Sequence, residues 1–166
     1  MTDESIAGNA PGTAAADAHW LRAAIAAARR AQETGDAPYG AVLVAADGTF
    51  LLEAGNTVHT TRDFTAHAEL NAVRLATARF DEAILAGATL YASTEPCPMC
   101  AAAIFWGGIG RVVFGLSSAR WREVYDQAGS YPALPFACAE VLDRSARAIE
   151  VVGPLLEDEA LAVHAP

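Results

Sequence analysis

The chain switches between two hydrophobic periods, and each switch marks an element. From Trp20 to Glu33, "WLRAAIAAARRAQE" is Ala-rich with apolar positions at helical spacing, and Gly35 follows as a terminator. The next stretch, "YGAVLVAADGTFLLEAGNT", reads as two strands around an Asp47-Gly48 turn, a β-hairpin. "HTTRDFTAHAELNAVRLATARF" opens as a polar loop and continues as a helix, with Leu70, Val73, Leu75 and Ala76 as its apolar stripe. "ATLYAS" is a short buried strand, "PMCAAAIFW" a helix after it, "GRVVFGL" another strand and "SSARWREVYDQ" a short helix. Residues 129–138, with Pro132 and Pro135, read as a loop. "AIEVVGPLLEDEALAVH" reads as a strand and a helix, or as two helix segments. Helices interleaved with apolar strands, with no internal repeat, predict an α/β fold. The expected architecture is a three-layer α/β/α sandwich around a mixed central sheet.

Size and charge narrow the picture. At 166 residues and 53% apolar, the chain suits one domain, residues 17–166, after a small, polar and disordered lead over residues 1–16. No apolar run reaches the roughly 18 residues of a membrane helix. The first residues lack the basic start and apolar centre of a secretory signal, so a cytoplasmic location is expected. Three cysteines in a reducing compartment argue against a disulfide framework. The net charge is -9, and the eleven basic residues are arginines without a cluster. That balance argues against a large nucleic-acid partner, which would draw on grouped Lys/Arg contacts.

Two short pieces carry candidate chemistry: His67-Ala68-Glu69, and "PCPMC" from Pro96 to Cys100. Twenty-six residues separate Glu69 from Pro96, room for a helix, a loop and a strand, so both pieces would open helices. Taken alone, Cys97 and Cys100 fit a disulfide, a structural metal site or catalysis. With His67 they form a three-ligand set suited to Zn2+, and a helix N-terminus favours the thiolates such a site needs. Three protein ligands leave a fourth position open, the mark of a catalytic rather than a structural site. Glu69 is then the proton carrier. On a regular helix His67 and Glu69 lie about 200° apart, so they converge only if the metal sits at the helix's N-terminal end.

H-A-E followed by P-C-P-M-C resembles the zinc-dependent cytidine/deoxycytidylate deaminase superfamily, which hydrolyses exocyclic amines of nucleobases. "PYGAVLV", "AGNTV", "TAHAE", "TLYASTEPCPMC" and "GRVVFG" extend the resemblance over roughly Asp17 to Leu116. They are similar to the branch holding bacterial guanine deaminases, yeast-type cytosine deaminases and tRNA adenosine deaminases. The resemblance implies His67, Cys97 and Cys100 as zinc ligands. It implies Glu69 as the residue moving protons between water, ring nitrogen and leaving amine. Asn56 and the backbone N–H of Ala68 would hydrogen-bond the base, and Tyr39 and Trp106 would wall the pocket. It also implies a homodimer. Trp121, Tyr125 and Asp126 fall where several relatives place specificity residues, and Asp126 would supply a second carboxylate.

Each residue has an alternative reading. Asn56 could cap a turn, Tyr39 and Trp106 could be core, and Asp126 could lie on a solvated helix face. Cys138 reads as an ordinary core or loop cysteine, and His19 and His59 as surface residues. The expected function is zinc-dependent hydrolytic deamination of a free nucleobase or related amino-heterocycle: guanine, cytosine, isocytosine or an amino-triazine. Pro98 matches the base deaminases, whereas tRNA enzymes more often carry valine there. The end, "EDEALAVHAP", lacks the aromatic segment typical of bacterial guanine deaminases, which puts guanine itself in question. Deamination of tRNA adenosine is the alternative, on the strength of "RDFTAHAE" and "IGRVVFG". A zinc-stabilised binding module is the non-enzymatic one.

Overall fold

The computed structural model describes residues 10–127, 129 and 134–165. Helix α1 (Ala14–Glu33) starts earlier than its apolar period does, because the Thr13 side chain caps the Ala16 N–H. The expected disordered lead is thus corrected at its end, where Ala14 to Ala16 are helical; residues 1–9 lie outside the described residues. Strands β1 (Gly40–Val44) and β2 (Phe50–Gly55) form the hairpin. Its turn is closed by Gly48 at φ 88, a left-handed conformation glycine adopts freely, and by Asp47 accepting the Thr49 N–H at 2.9 Å. Helices α2 (Val58–Thr61), α3 (Ala68–Thr77) and α4 (Glu82–Gly87) lead into β3 (Thr89–Thr94). Then come α5 (Pro98–Trp106), β4 (Arg111–Leu116) and α6 (Ser118–Tyr125). Helix α7 (Cys138–Leu142), β5 (Glu150–Val152), α8 (Glu157–Leu161) and a 3-10 turn (Ala162–His164) complete the described chain.

The sheet order is β2-β1-β3-β4-β5. Strand β1 is antiparallel to both β2 and β3, while β3, β4 and β5 run parallel, so the sheet is mixed. Period-two alternation sends Val42, Val44, Tyr91 and Val113 to one face, against Leu21, Ala24, Ile25 and Ala28 of α1 and Ala160 of α8. Ala41, Leu43, Leu90 and Val112 point to the other, against α3, α5 and α7. Helices on both faces make the three-layer sandwich. Strand β1 is buried throughout because both its faces are covered.

Small residues set how closely the layers approach. The α3 core face is Ala68, Ala72, Val73 and Ala76, whereas Leu70 and Leu75 are only half-buried, a correction to the expected stripe. Gly40 is where β1 meets α1 most closely: an added Cβ would overlap Ala24 O and Ala28 N of α1 and lie 2.7 Å from Ala27 Cβ. Behind β3, the buried Asp17 carboxylate accepts from Tyr91 Oη at 2.7 Å and from two Arg111 nitrogens at 2.9 and 2.7 Å.

Candidate active site

Helices α3 and α5 both begin at the same place, and the residues at their N-caps are His67 and Cys97. Both have extended backbone and neither makes a side-chain cap, so imidazole and thiol are left for something else. Pro98 starts α5 at the position where its missing N–H costs nothing, and Cys100 follows within the first turn. His67 Nδ1 lies 3.7 Å from Cys97 Sγ and 3.6 Å from Cys100 Sγ. All three donor atoms fall within 4.8 Å of one another. A tetrahedral zinc ion with ordinary bond lengths separates its nitrogen and sulfur ligands by about 3.6 Å. The set therefore fits zinc in spacing as well as in donor type. Cys138 is buried elsewhere, at the start of α7, and belongs to no such group among the described residues.

Protonation differs between the two thiols. A hydrogen bond from the Cys100 thiol, opposed by burial and joined by one from His67, holds Cys97 down to about 4, so it is a thiolate near neutrality. Cys100 is pushed up, first because its proton is held by Cys97 and then by burial. His67 is raised by its bond with Cys97.

Glu69 sits in the first turn of α3, only 7% exposed, with Oε2 3.7 Å from Cys100 Sγ. Burial pushes its carboxyl up to about 7. A group poised there can both take and give a proton near neutral pH. The N-terminal convergence required of His67 and Glu69 is what the helix start provides: His67 precedes the helix and Glu69 lies inside it.

Three of these groups face a cavity of about 530 Å³. Asn56 and Tyr39 line it, with His67, Glu69 and Cys97. Asn56 Oδ1 accepts the Val58 N–H at 3.0 Å, so the turn-capping reading holds as well, while Nδ2 makes no hydrogen bond among the described residues. The carboxamide thus has one end used and one donor to offer. Ala68 is fully buried and does not line the cavity with its side chain. Its backbone N–H, at the first helical position, has no acceptor within the helix.

Two expected pocket residues are corrected. Trp106 ends α5 at 82% exposed, edge-on to Phe105 and outside the cavity. Asp126 caps the C-terminal end of α6 and does not line the cavity either. The walls come instead from Trp121, Phe64, Phe136, Thr94 and Glu95. Of these only Trp121 stood among the candidates. Glu95 accepts the Ser118 N–H on Oε2 and the Cys138 N–H on Oε1, both at 2.9 Å, fixing the starts of α6 and α7 beside the site. No sequence spacing signals Thr94 or Glu95. Phe64 lies in the polar loop before His67, where its exposed ring was legible only as an apolar residue out of place.

Comparison with known proteins matches the geometry. A family model described as the cytidine and deoxycytidylate deaminase zinc-binding region matches residues 14–116. The chain is 40% identical over 148 residues to a probable cytosine deaminase of Schizosaccharomyces pombe, covering 89% of this chain and 90% of that protein. It is 42% identical over 97 residues to a tRNA-specific adenosine deaminase of Agrobacterium fabrum, covering 58% of this chain and 63% of that one. The crystal structure of a guanine deaminase from Bacillus subtilis superposes with a TM-score of 0.57 at 32% identity, covering 72% of this chain and 82% of that one.

Proposed function

The chain belongs to the cytidine and deoxycytidylate deaminase family, and on that premise we propose that it hydrolyses the exocyclic amine of a free nucleobase or related amino-heterocycle. The observation carrying this reading is the cavity. One apolar-walled space holds a planar-ring wall (Tyr39, Trp121), an amide donor (Asn56), a buried carboxyl (Glu69) and, from the three-donor set, His67 and Cys97, with Cys100 buried against them. The similarity to the S. pombe protein supports it, because it runs through almost the whole of both chains.

His67, Cys97 and Cys100 hold zinc in this reading; when bound, the metal supplies Lewis acidity that makes water a competent nucleophile near neutral pH. Asn56 Nδ2 and the Ala68 N–H donate to acceptors on the ring and fix its edge. Glu69 takes a proton from the attacking water and passes one to the ring nitrogen. It then takes the remaining proton from the hydroxyl formed by that attack and gives it to the amine as the carbon–nitrogen bond breaks, so that water and the amino compound become a carbonyl compound and ammonia. The low polarity around Glu69 keeps its affinity for protons near that of the groups it exchanges with. A homodimer, with the exposed Trp106 near its contact, is part of the same proposal.

Deamination of adenosine in tRNA is the second reading, favoured by the similarity to the A. fabrum enzyme. Against it stands the net charge of -9, and Arg122 is the one cation lining the cavity among the described residues. The test is ammonia release by the purified, zinc-loaded chain on guanine, cytosine, isocytosine, ammeline, adenine, their nucleosides and an anticodon-stem RNA. A free base should turn over, and Glu69→Gln should lower that rate by at least about 10²-fold while leaving zinc content unchanged. Turnover confined to RNA would overturn the base reading.

A further inference from the structure

The last described turn packs behind the cavity wall. Three consecutive acids at the start of α8 each grip a different residue. Glu157 Oε1 accepts from the Ser117 N–H at 3.1 Å and from its hydroxyl at 2.5 Å; Asp158 accepts from Arg120 at 2.7 Å; and Glu159 pairs with Arg22 through two bonds of 2.9 and 2.8 Å. The first two bind α8 to α6 and the third binds it to α1. Tyr125 adds a bond to Leu161 O at 3.5 Å. So fastened, the last turn delivers His164 behind the cavity. Its Nδ1 accepts from Trp121 Nε1 at 3.3 Å, and its Nε2 lies 3.4 Å from Thr94 Oγ1. Its ring centroid is 5.2 Å from that of Tyr39 and 5.9 Å from that of Tyr125. Tyr39, Thr94 and Trp121 all line the cavity, and His164 touches each of them.

We propose that His164 is a positioning residue for the cavity: its ring fixes the Trp121 indole and the Thr94 hydroxyl in one arrangement and backs Tyr39. The inference rests on the reading of that cavity as the heterocycle site. The chemistry of imidazole makes the arrangement specific. Trp121 offers only a donor, so Nδ1 must be unprotonated, and the single ring proton of the neutral form then sits on Nε2, facing Thr94 Oγ1. Thr94 accepts there and keeps its own proton to offer on the cavity side. An imidazolium, donor at both nitrogens, does not fit the Trp121 bond. Burial favours the neutral form, holding His164 down to about 4. The C-terminal turn thereby determines where an aromatic wall and a hydroxyl donor stand on two other elements, α6 and β3.

The test uses the full, zinc-loaded chain with ¹⁵N-labelled tryptophan. Its three indoles give three N–H signals, and Trp121→Phe identifies the one of interest. In the wild type the Trp121 N–H should exchange slowly with solvent. His164→Ala should make it exchange fast, and His164→Asn, which keeps an acceptor near the Nδ1 position, should restore protection. On the base turned over by the wild type, His164→Ala should raise KM roughly threefold to tenfold, the range of one to two net hydrogen bonds, with kcat little changed. His164→Asn should recover most of the loss. Unchanged Trp121 exchange in His164→Ala overturns the proposal, and so does altered exchange with unchanged KM. Should the wild type release ammonia from nothing, the functional reading falls, and the indole exchange alone decides whether His164 sets the wall.

Discussion

Removing the guanidinium that neutralises Asp17 should destabilise the chain substantially. Asp17 and Arg111 side chains are 6% and 13% exposed, so their pairing lies in the protein rather than at its surface. Arg111 gives Asp17 two bonds, at 2.9 and 2.7 Å, and a third to the exposed Glu150 at 2.8 Å. In Arg111→Met the carboxylate keeps only Tyr91 Oη at 2.7 Å and the Gly12 N–H at 3.3 Å. Breaking a buried pair by deleting one partner costs about 3–5 kcal/mol. The two surviving donors put this case near the low end, about 3 kcal/mol, or a fall in Tm of about 6–12 °C for a chain of this size. The pH dependence has a definite sign. Burial acts to raise Asp17, but the Arg111 hydrogen bonds, with those of Tyr91 and Gly12, outweigh it and hold the carboxyl below its usual range. In the wild type its contribution is therefore complete above the unfolded carboxylate pKa and is lost as pH falls through the lower folded value. In Arg111→Met burial is opposed only by the Tyr91 and Gly12 bonds, so the carboxyl takes up a proton at higher pH than in the wild type, and the penalty shrinks in mild acid. Urea unfolding of the zinc-loaded wild type and variant at pH 8 and pH 5 checks this. A gap below about 1 kcal/mol at pH 8, or one that does not narrow at pH 5, would refute the reasoning. Adding Asp17→Asn to the variant should recover much of the loss.

Three further outcomes are expected. Cys97→Ser should reduce bound zinc from one per chain to nearly none by elemental analysis, and chelation of the wild type should lower its urea midpoint, since binding energy is folding energy in such a site. Asn56→Asp keeps the oxygen that accepts from Val58 but loses the Nδ2 donor. It should lower kcat/KM for the base by at least about 10²-fold with a Tm nearly unchanged, as measured by steady-state kinetics and calorimetry. Gly40→Ala drives a methyl into the α1 backbone, where nothing flexible can yield. It should cost several kcal/mol, on the order of 3 or more, and abolish soluble expression or the cooperative melt.

What could be read in the sequence was what local chemistry specifies. Asp47-Gly48 announced the hairpin, and Pro98 marked the first residue of α5. The ligand set was legible because each motif brings its metal donors to the start of one helix. The start of α1 was not, because its cap, Thr13, lies in an Ala-rich stretch without an apolar period. Nor were the short helices α4 and α7, each held by contacts from elsewhere in the chain. The α3 stripe was misread because the closest packing against a sheet uses alanine, so the larger side chains lie at the margin. Trp106 carries the residue type of a pocket wall but ends α5 facing outward. The actual wall includes Thr94 and Trp121, with His164 behind them, residues 27 to 70 positions apart along the chain. Only the tertiary packing of α6 and the last turn beside β3 brings them together.

The two bonds accepted by Glu95 bear on how such a site can be re-engineered. One carboxylate, two residues before Cys97, fastens the residue that opens α6 and the residue that opens α7. Residues 119–137 are therefore bounded by two positions pinned to the same side chain, and Trp121, Arg122, Leu134 and Phe136 among them line the cavity. The stretch is a cassette: grafting it from a relative of different substrate range exchanges part of the cavity rim and leaves the zinc ligands, Glu69 and Asn56 on elements outside the graft.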